Sequence, residues 1–392
     1  MKIGWIDFSK EQRGKVLSVL RLLSEPGALD ELGIGIIRDS FADILFPGTS
    51  TIQTRAKYLF VVPYIMLELE KYMSINPHEF LSLLDQKETE LIDILDNDDA
   101  EGVIGVEARE KLKRKPSSIY WNALKTYGIF ANQGLTLSEY AKAFCTVRDN
   151  KQKIRSAGNN KRNSDETSDD ADGVDGMFNF WRIPVPMQNW REGLNIDLSQ
   201  EEAFFLKQKI ITMPNTKDSL MALVLRENRS DFCEYASFND LDKLIPVMPE
   251  MMKNDYILAR NFAQFIYGAQ IRYNVIFTKG EDEEVLKAWE SWKNDIPQIE
   301  LDRMFARLEV RNLNLRHFLR AYQNTLYDED ELDKLIIARE KQLKGASRSK
   351  LINENMYQYD GKLINMGKLY YRFYNTQRII SDIFEGLGEM DA

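Results

Sequence analysis

ALDELGIGIIRDSFADILFPGTSTIQTRAKYLFVVPYI, residues 28–65, sets the reading of the whole chain. Leu32, Ile36, Ile37, Phe41, Ile44 and Leu45 recur at three- and four-residue spacing, which lines one face of a helix over Asp30 to Leu45. Pro47-Gly48 ends it, since proline lacks an amide donor and glycine turns the chain at little cost. Thr49, Ser50 and Thr51 then offer capping hydroxyls to a following helix through QTRAKYLFVV, which Pro63 should kink before YIMLELEKY resumes it. Gly33 and Gly35 suggest a dinucleotide fingerprint. That reading fails because Arg38 stands where a third glycine is needed and no strand precedes it.

The same periodicity extends in both directions. Upstream, QRGKVLSVLRLLSE is an amphipathic run stopped by Pro26-Gly27. Downstream, helices are expected at His78 to Leu95, Val103 to Lys113, Ser117 to Tyr127 and Thr136 to Thr146, the last opened by Thr136 and Glu139 in capping-box spacing. FNFWRIPVPMQNW holds Pro184 and Pro186 and should be extended and packed by its aromatics. Helices resume at Ser199 with a second capping box to Glu202. They continue through SLMALVLREN, MMKNDYILARNFAQFIYGAQIRYNVIF, EEVLKAWESWKND, the run from Leu301 to Tyr322, EDELDKLIIAREKQL and GKLYYRFYNTQRIISDIFEGL. Alternating strand patterns are nearly absent, so the expected fold is mainly α.

Residues 149–176 carry only Ile154 and Val174 as large apolar side chains, too few to offset the entropy of ordering the segment. The expected organisation is therefore two helical domains, 1–148 and 177–392, separated by a disordered polar linker at 149–176. The net charge is −9, divided as −3 before that linker, −2 within it and −4 after it. Neither domain is globally basic, so binding to nucleic acid would have to rest on a local patch.

Composition removes several function classes. His78, His317, Cys145 and Cys233 lie far apart and form no zinc-binding spacing, so neither metal nor cofactor is expected. Two cysteines in 392 residues argue against a disulfide-stapled scaffold. MKIGWIDFSKEQR becomes charged too early for a signal peptide, and no apolar run approaches a membrane span, which points to the cytoplasm and away from a membrane. Acidic groups at Asp93, Asp96, Asp98 and Asp99, and at Asp328 to Glu331, lack the spacing of a calcium loop and read as charged helix ends. Glu68, Glu70 and Lys71 form the ExK triplet used by some nucleases, without a partnered aspartate. LKGASRSK at 343–350 is a basic Gly/Ser loop without the spacing of a phosphate-cradling loop.

Two basic elements remain as binding candidates. Arg109, Lys111, Lys113, Arg114 and Lys115 precede a helix carrying Ser117, Ser118, Asn122 and Lys125. That arrangement matches a helix-turn-helix in which serines and amides hold phosphate while Asn122 or Lys125 reaches base edges. Arg303, Arg307 and Arg311 repeat at four-residue intervals, and Arg316 and Arg320 follow after a phase shift beside His317. On one helix they form basic ridges suited to phosphates or to an acidic partner helix. Thr49, Ser50, Gln53 and Arg55 form a third candidate, a loop that is a helix cap first and a binding loop second.

GWIDFS at 4–9, the 28–65 block, PSSIYWNALKTYGI at 116–129 and YYRFYNTQRIISDI at 370–383 resemble a bacterial family known only as a domain of unknown function. The resemblance transfers no catalytic residue. It implies genes placed near helicases, nucleases or DNA-modification enzymes of anti-phage systems, and hence protein partners encoded nearby. The expected function is that of a non-enzymatic accessory subunit of a bacterial DNA-directed defence or DNA-processing system. A metal-dependent nuclease or hydrolase, and a purely protein-binding helical scaffold, are the alternatives.

Overall fold

The computed structural model describes residues 30–96, 100–159, 179–353 and 356–389, with the backbone alone for 154–159. The helices are α1 Gly35–Leu45, α2 Tyr58–Leu69, α3 Pro77–Leu95, α4 Pro116–Thr126, α5 Leu137–Asn159, α6 Gln200–Thr212, α7 Leu220–Arg226, α8 Glu250–Phe277, α9 Glu283–Lys293, α10 Leu301–Arg307, α11 Leu313–Thr325, α12 Glu329–Lys344 and α13 Phe373–Leu387. Short 3-10 segments cover Arg109–Lys111, Ser230–Glu234 and Phe238–Val247. Among the described residues the β content is a single isolated antiparallel bridge, Phe130 to Trp181. The chain is mainly helical, as the periodicity requires. The early helix of QRGKVLSVLRLLSE and the GWIDFS stretch lie outside the described residues.

Two compact units form, each from discontinuous sequence: one from residues up to Phe41 with Tyr256–Leu369, the other from Ala42–Asp255 with Tyr370–Ala392. In the second unit α13 packs against α6 and α7, and α2 packs against α3 and α4. Phe373, Ile379, Ile380, Ile383 and Phe384 are the buried face of α13. Gly386 allows the close approach to α6, because a Cβ there would stand 2.8 Å from that of Ala203. Around the Phe130–Trp181 bridge, Trp121, Tyr140 and Phe180 pack as an aromatic cluster, so Phe180 and Trp181 are held by their rings as expected for this aromatic stretch. The first unit contains α9 to α12 and most of α8. Trp292 of α9 lies over Gly268 of α8, where a Cβ would come within 2.2 Å of the indole, and its Nε1 donates to the Gln264 carbonyl at 2.8 Å.

Capping boxes predicted from sequence are present at Ser199–Glu202 and between Thr136 and Glu139. Several elements differ from expectation. Thr49 does not cap the following helix. Its hydroxyl donates to the Phe46 carbonyl at 2.7 Å, satisfying the end of α1, and α2 begins only at Tyr58 with no side-chain cap on Lys57. Pro63 lies inside α2, which runs through it uninterrupted, with ten of its twelve residues buried. The helix expected over Val103 to Lys113 is a series of turns with one 3-10 turn, Arg109 itself standing at φ 46°. The run from Leu301 to Tyr322 is not one helix. Glu309, at φ 49°, takes the left-handed conformation and splits it into α10 and α11. Residues 149–159, expected as the start of a linker, continue α5, and 160–176 lie outside the described residues.

Candidate functional site

The arginines of 303–320 converge on one hairpin of the first unit. Phe305 of α10 is buried, and the guanidinium carbons of Arg316 and Arg320 from α11 stand 5.2 and 5.7 Å from its ring centre. Arg320 also pairs with Asp302 at 2.5 Å, while Gln323 donates to the Ile299 carbonyl at 3.0 Å, so side chains clasp the two helices along their length. A shallow cavity of about 500 Å³ opens beside this clasp, edged by Glu300, Asp302, Arg303, Arg320, Gln323 and Asn324. Arg307 and Arg311 are exposed at the turn. Arg311 keeps 90% of its side chain in solvent and pairs with Glu309 at 3.4 Å. The four-residue spacing implied one continuous basic ridge, and the geometry differs. The split helix brings Arg316 and Arg320 back over Phe305, and Phe305 and Gln323, which hold the two helices there, carry no signal in a count of basic residues.

The other basic element is differently placed. With Val103 to Lys113 largely non-helical, the first helix of the expected helix-turn-helix is missing there. Arg109 pairs with Asp93 and Asp96. Lys115 is buried and donates to the Thr89 hydroxyl at 2.5 Å. Ser117 is buried too, its amide and hydroxyl both directed to Glu88, which caps α4 from α3. Burial pushes the Glu88 carboxyl up to about 7, against the opposing pull of the Ser117 amide and hydroxyl and of Lys115. Lys111, Lys113, Arg114, Ser118 and Asn122 remain exposed, and Lys125 is half-buried.

The 49–55 loop turns inward. Gln53 is buried and donates to the Gly48 carbonyl at 3.1 Å. Arg55, also buried, places Nε 2.9 Å from Asp382 Oδ1 of α13, Nη2 2.5 Å from Asp197 and Nη1 3.0 Å from the Glu101 carbonyl. Tyr120 receives the amides of Thr54 and Arg55 on its hydroxyl at 2.9 and 3.1 Å. Burial lifts the Asp382 carboxyl to about 6, opposed by Arg378, Arg55 and the Ala56 amide. Asp382 lies 327 residues and Asp197 142 residues from Arg55 in chain order, so no local pattern announces them.

Carboxylates considered for catalysis are similarly committed. Glu68 accepts from Trp190 Nε1 at 2.6 Å and pairs with Arg191, and Glu70 accepts from the Tyr140 hydroxyl at 2.6 Å and Trp181 Nε1 at 3.1 Å. Asp328 caps α12 through the Glu331 amide, and Glu329 is bonded by Trp289, Lys293 and Arg272, which hold its carboxyl down at about 2. LKGASRSK wraps a protein carboxylate: buried Glu340 accepts from Tyr273 and Ser349 hydroxyls, both at 2.6 Å, from the Lys350 and Leu351 amides and from Lys344. Among the described residues no group of three or more His, Cys, Asp or Glu is placed to hold a metal ion, and no helix is long and apolar enough to cross a membrane.

No curated protein and no solved structure matches the chain. The model of the family of unknown function DUF6361 matches it over residues 1–356, which includes the 28–65 block, α4 and the arginine hairpin, and the chain belongs to that family.

Proposed function

We propose that the chain is a non-enzymatic accessory subunit of a bacterial DNA-directed defence or DNA-processing system, and that it contacts phosphates through the arginines of α10 and α11. The observation that carries this reading is Arg303 and Arg320 at the edge of one cavity, with Arg316 beside Arg320 over the Phe305 ring and Arg307 and Arg311 exposed at the adjoining turn. Guanidinium groups suit phosphate because their planar donors pair with two oxygens at once. Of the eight charged side chains in 300–320, five are Arg, against Glu300, Asp302 and Glu309, so the patch is locally basic on a chain of net −9.

The test is salt dependence. Binding of the purified chain to duplex DNA should weaken steeply with added salt, and charge reversal of Arg307 and Arg311 should flatten the log-log slope by roughly 0.7 to 0.9 for each phosphate no longer neutralised. The weakening should be alike for unrelated sequences, because phosphate contacts position without reading bases. The acidic total favours a second reading, in which the same arginines meet an acidic protein. Failure to bind any nucleic acid at low salt, together with failure of the Arg307/Arg311 reversal to co-purify with a neighbouring gene product, would put that reading first.

A further inference from the structure

Building on the phosphate-contact reading, we propose that α11 is a duplex-reading helix that enters the major groove of DNA with Asn314 and His317 toward base edges, held at its angle by α10 and the turn between them. The pair is constructed as a fixed unit. Glu309 makes the turn at φ 49°, Val310 is buried within it, and the Asn312 side chain caps α11 by accepting from the Leu315 amide at 3.1 Å. Two short helices joined by such a turn are the supersecondary form that places its second helix against DNA.

The faces of α11 divide cleanly. Leu315, Phe318, Leu319 and Tyr322 are buried, whereas Leu313, Asn314, His317 and Asn324 are exposed. Asn314, His317 and Asn324 follow at three- and seven-residue steps, which puts them on one stripe of the helix. A helix about 10 to 12 Å across with its side chains fits a major groove about 12 Å wide. The chemistry of the stripe matches base edges: an asparagine amide can pair with adenine on both N6 and N7, and an imidazole can donate or accept. Leu313, 62% exposed beside these polar groups, offers an apolar surface to a thymine methyl.

Charge fixes the orientation. Arg307 and Arg311 flank the N-terminal end of the stripe, where they would meet backbone phosphates, while Asp328, Glu329, Asp330, Glu331 and Asp333 follow the other end. The 13-residue helix separates those ends by about 20 Å. The N-terminal half therefore faces DNA. Exposed positions of α11 carry no Phe, Tyr or Trp, and the His317 imidazole is a single ring, whereas single-strand recognition stacks successive bases on several aromatics. Duplex is accordingly the form we assign.

The experiment is selection of a duplex pool with a randomised core by the full-length chain, followed by fluorescence anisotropy on an enriched and a scrambled duplex. A consensus should emerge. Asn314→Ala and His317→Ala should each weaken the enriched duplex on the order of tenfold and leave the scrambled one unchanged. Arg311→Ala should weaken both equally. All three side chains are exposed, so melting temperatures should stay those of the parent, and a variant that melts lower is replaced by Asn314→Ser or His317→Gln. Salt-dependent duplex binding with a pool that stays flat, or with variants that bind the enriched duplex as the parent does, overturns the reading helix and leaves phosphate contact standing. Tighter binding to single strands than to duplex also overturns it. No binding to any nucleic acid at low salt removes both.

Discussion

Asp382 receives the Arg55 guanidinium on Oδ1 at 2.9 Å and the neighbouring Ala56 amide on Oδ2 at 2.6 Å, so one carboxylate of the last helix fixes both the side chain and the backbone of the 49–57 segment. Both side chains are almost completely out of solvent. In water such a pair would contribute little, but here each partner would otherwise be a buried group left with one partly exposed counter-charge, Asp197 for Arg55 and Arg378 for Asp382. The segment that sequence suggested as a binding loop is a structural anchor of its unit.

Removing one partner should therefore cost far more than removing both. Asp382→Asn is expected to destabilise by about 3 kcal/mol, since the buried Arg55 loses its buried carboxylate and keeps only the largely exposed Asp197. Combining Asp382→Leu with Arg55→Met should recover a good part of that stability, although the Ala56 amide stays unpaired. Denaturant titration of the parent, Asp382→Leu, Arg55→Met and the double variant gives the comparison; a double variant as unstable as the sum of the singles would show the pair is not coupled.

Glu88 gives the pH dependence. Its carboxyl titrates near 7 when folded against 4.5 in the free side chain, so the folded state holds the proton more tightly. The stability from this group is complete below about 4.5 and is lost as pH rises through about 7. Asp382, lifted from 3.8 to about 6, acts in the same direction at slightly lower pH. Glu88→Gln should therefore flatten the fall in melting temperature between those limits. An unchanged pH profile would mean that Glu88 is ionised in the fold.

Glu340 should prove the least replaceable residue of its unit. Tyr273, Ser349, Lys344 and two backbone amides all donate to it, so Glu340→Ala leaves several buried donors without acceptors. A destabilisation of about 3 kcal/mol or more is expected. Hydrogen exchange should first accelerate at the Lys350 and Leu351 amides, and continued protection there would contradict the assigned bonds.

What was legible in the sequence follows from what is local. Helical periodicity found α3, α6, α8, α9 and α12 because their apolar faces and caps lie within a few residues of one another. Glu309 was invisible for the same reason. A left-handed glutamate has no composition signal, so Arg303 to Arg320 read as one continuous helix although the turn puts Arg320 beside Asp302. Thr49 looked like a cap for the next helix because cap chemistry is the same at either side of a short loop, and only the position of Phe46 decides which carbonyl or amide it meets. The Arg55–Asp382 and Tyr273–Glu340 contacts depend on packing between distant segments, which periodicity does not encode.

Composition predicts that trypsin should first reach the 160–176 stretch, at Lys161 or Arg162, before Lys151 and Lys153, which lie on α5. The fate of the fragments tests the architecture. A division into separate domains 1–148 and 177–392 requires the two products to part and fold alone. The second unit instead draws on both sides of the cut: Ala131 donates to the Phe180 carbonyl at 2.8 Å, Lys57 pairs with Glu202 at 2.7 Å, and Arg55 with Asp382. The nicked protein should thus run as one species in gel filtration and melt near the intact chain, separating only in denaturant. Adding Asp382→Asn before the cut should promote dissociation, because the fragments then share one fewer buried pair. Two products that separate without denaturant, each melting cooperatively, would restore the two-domain division at 149–176.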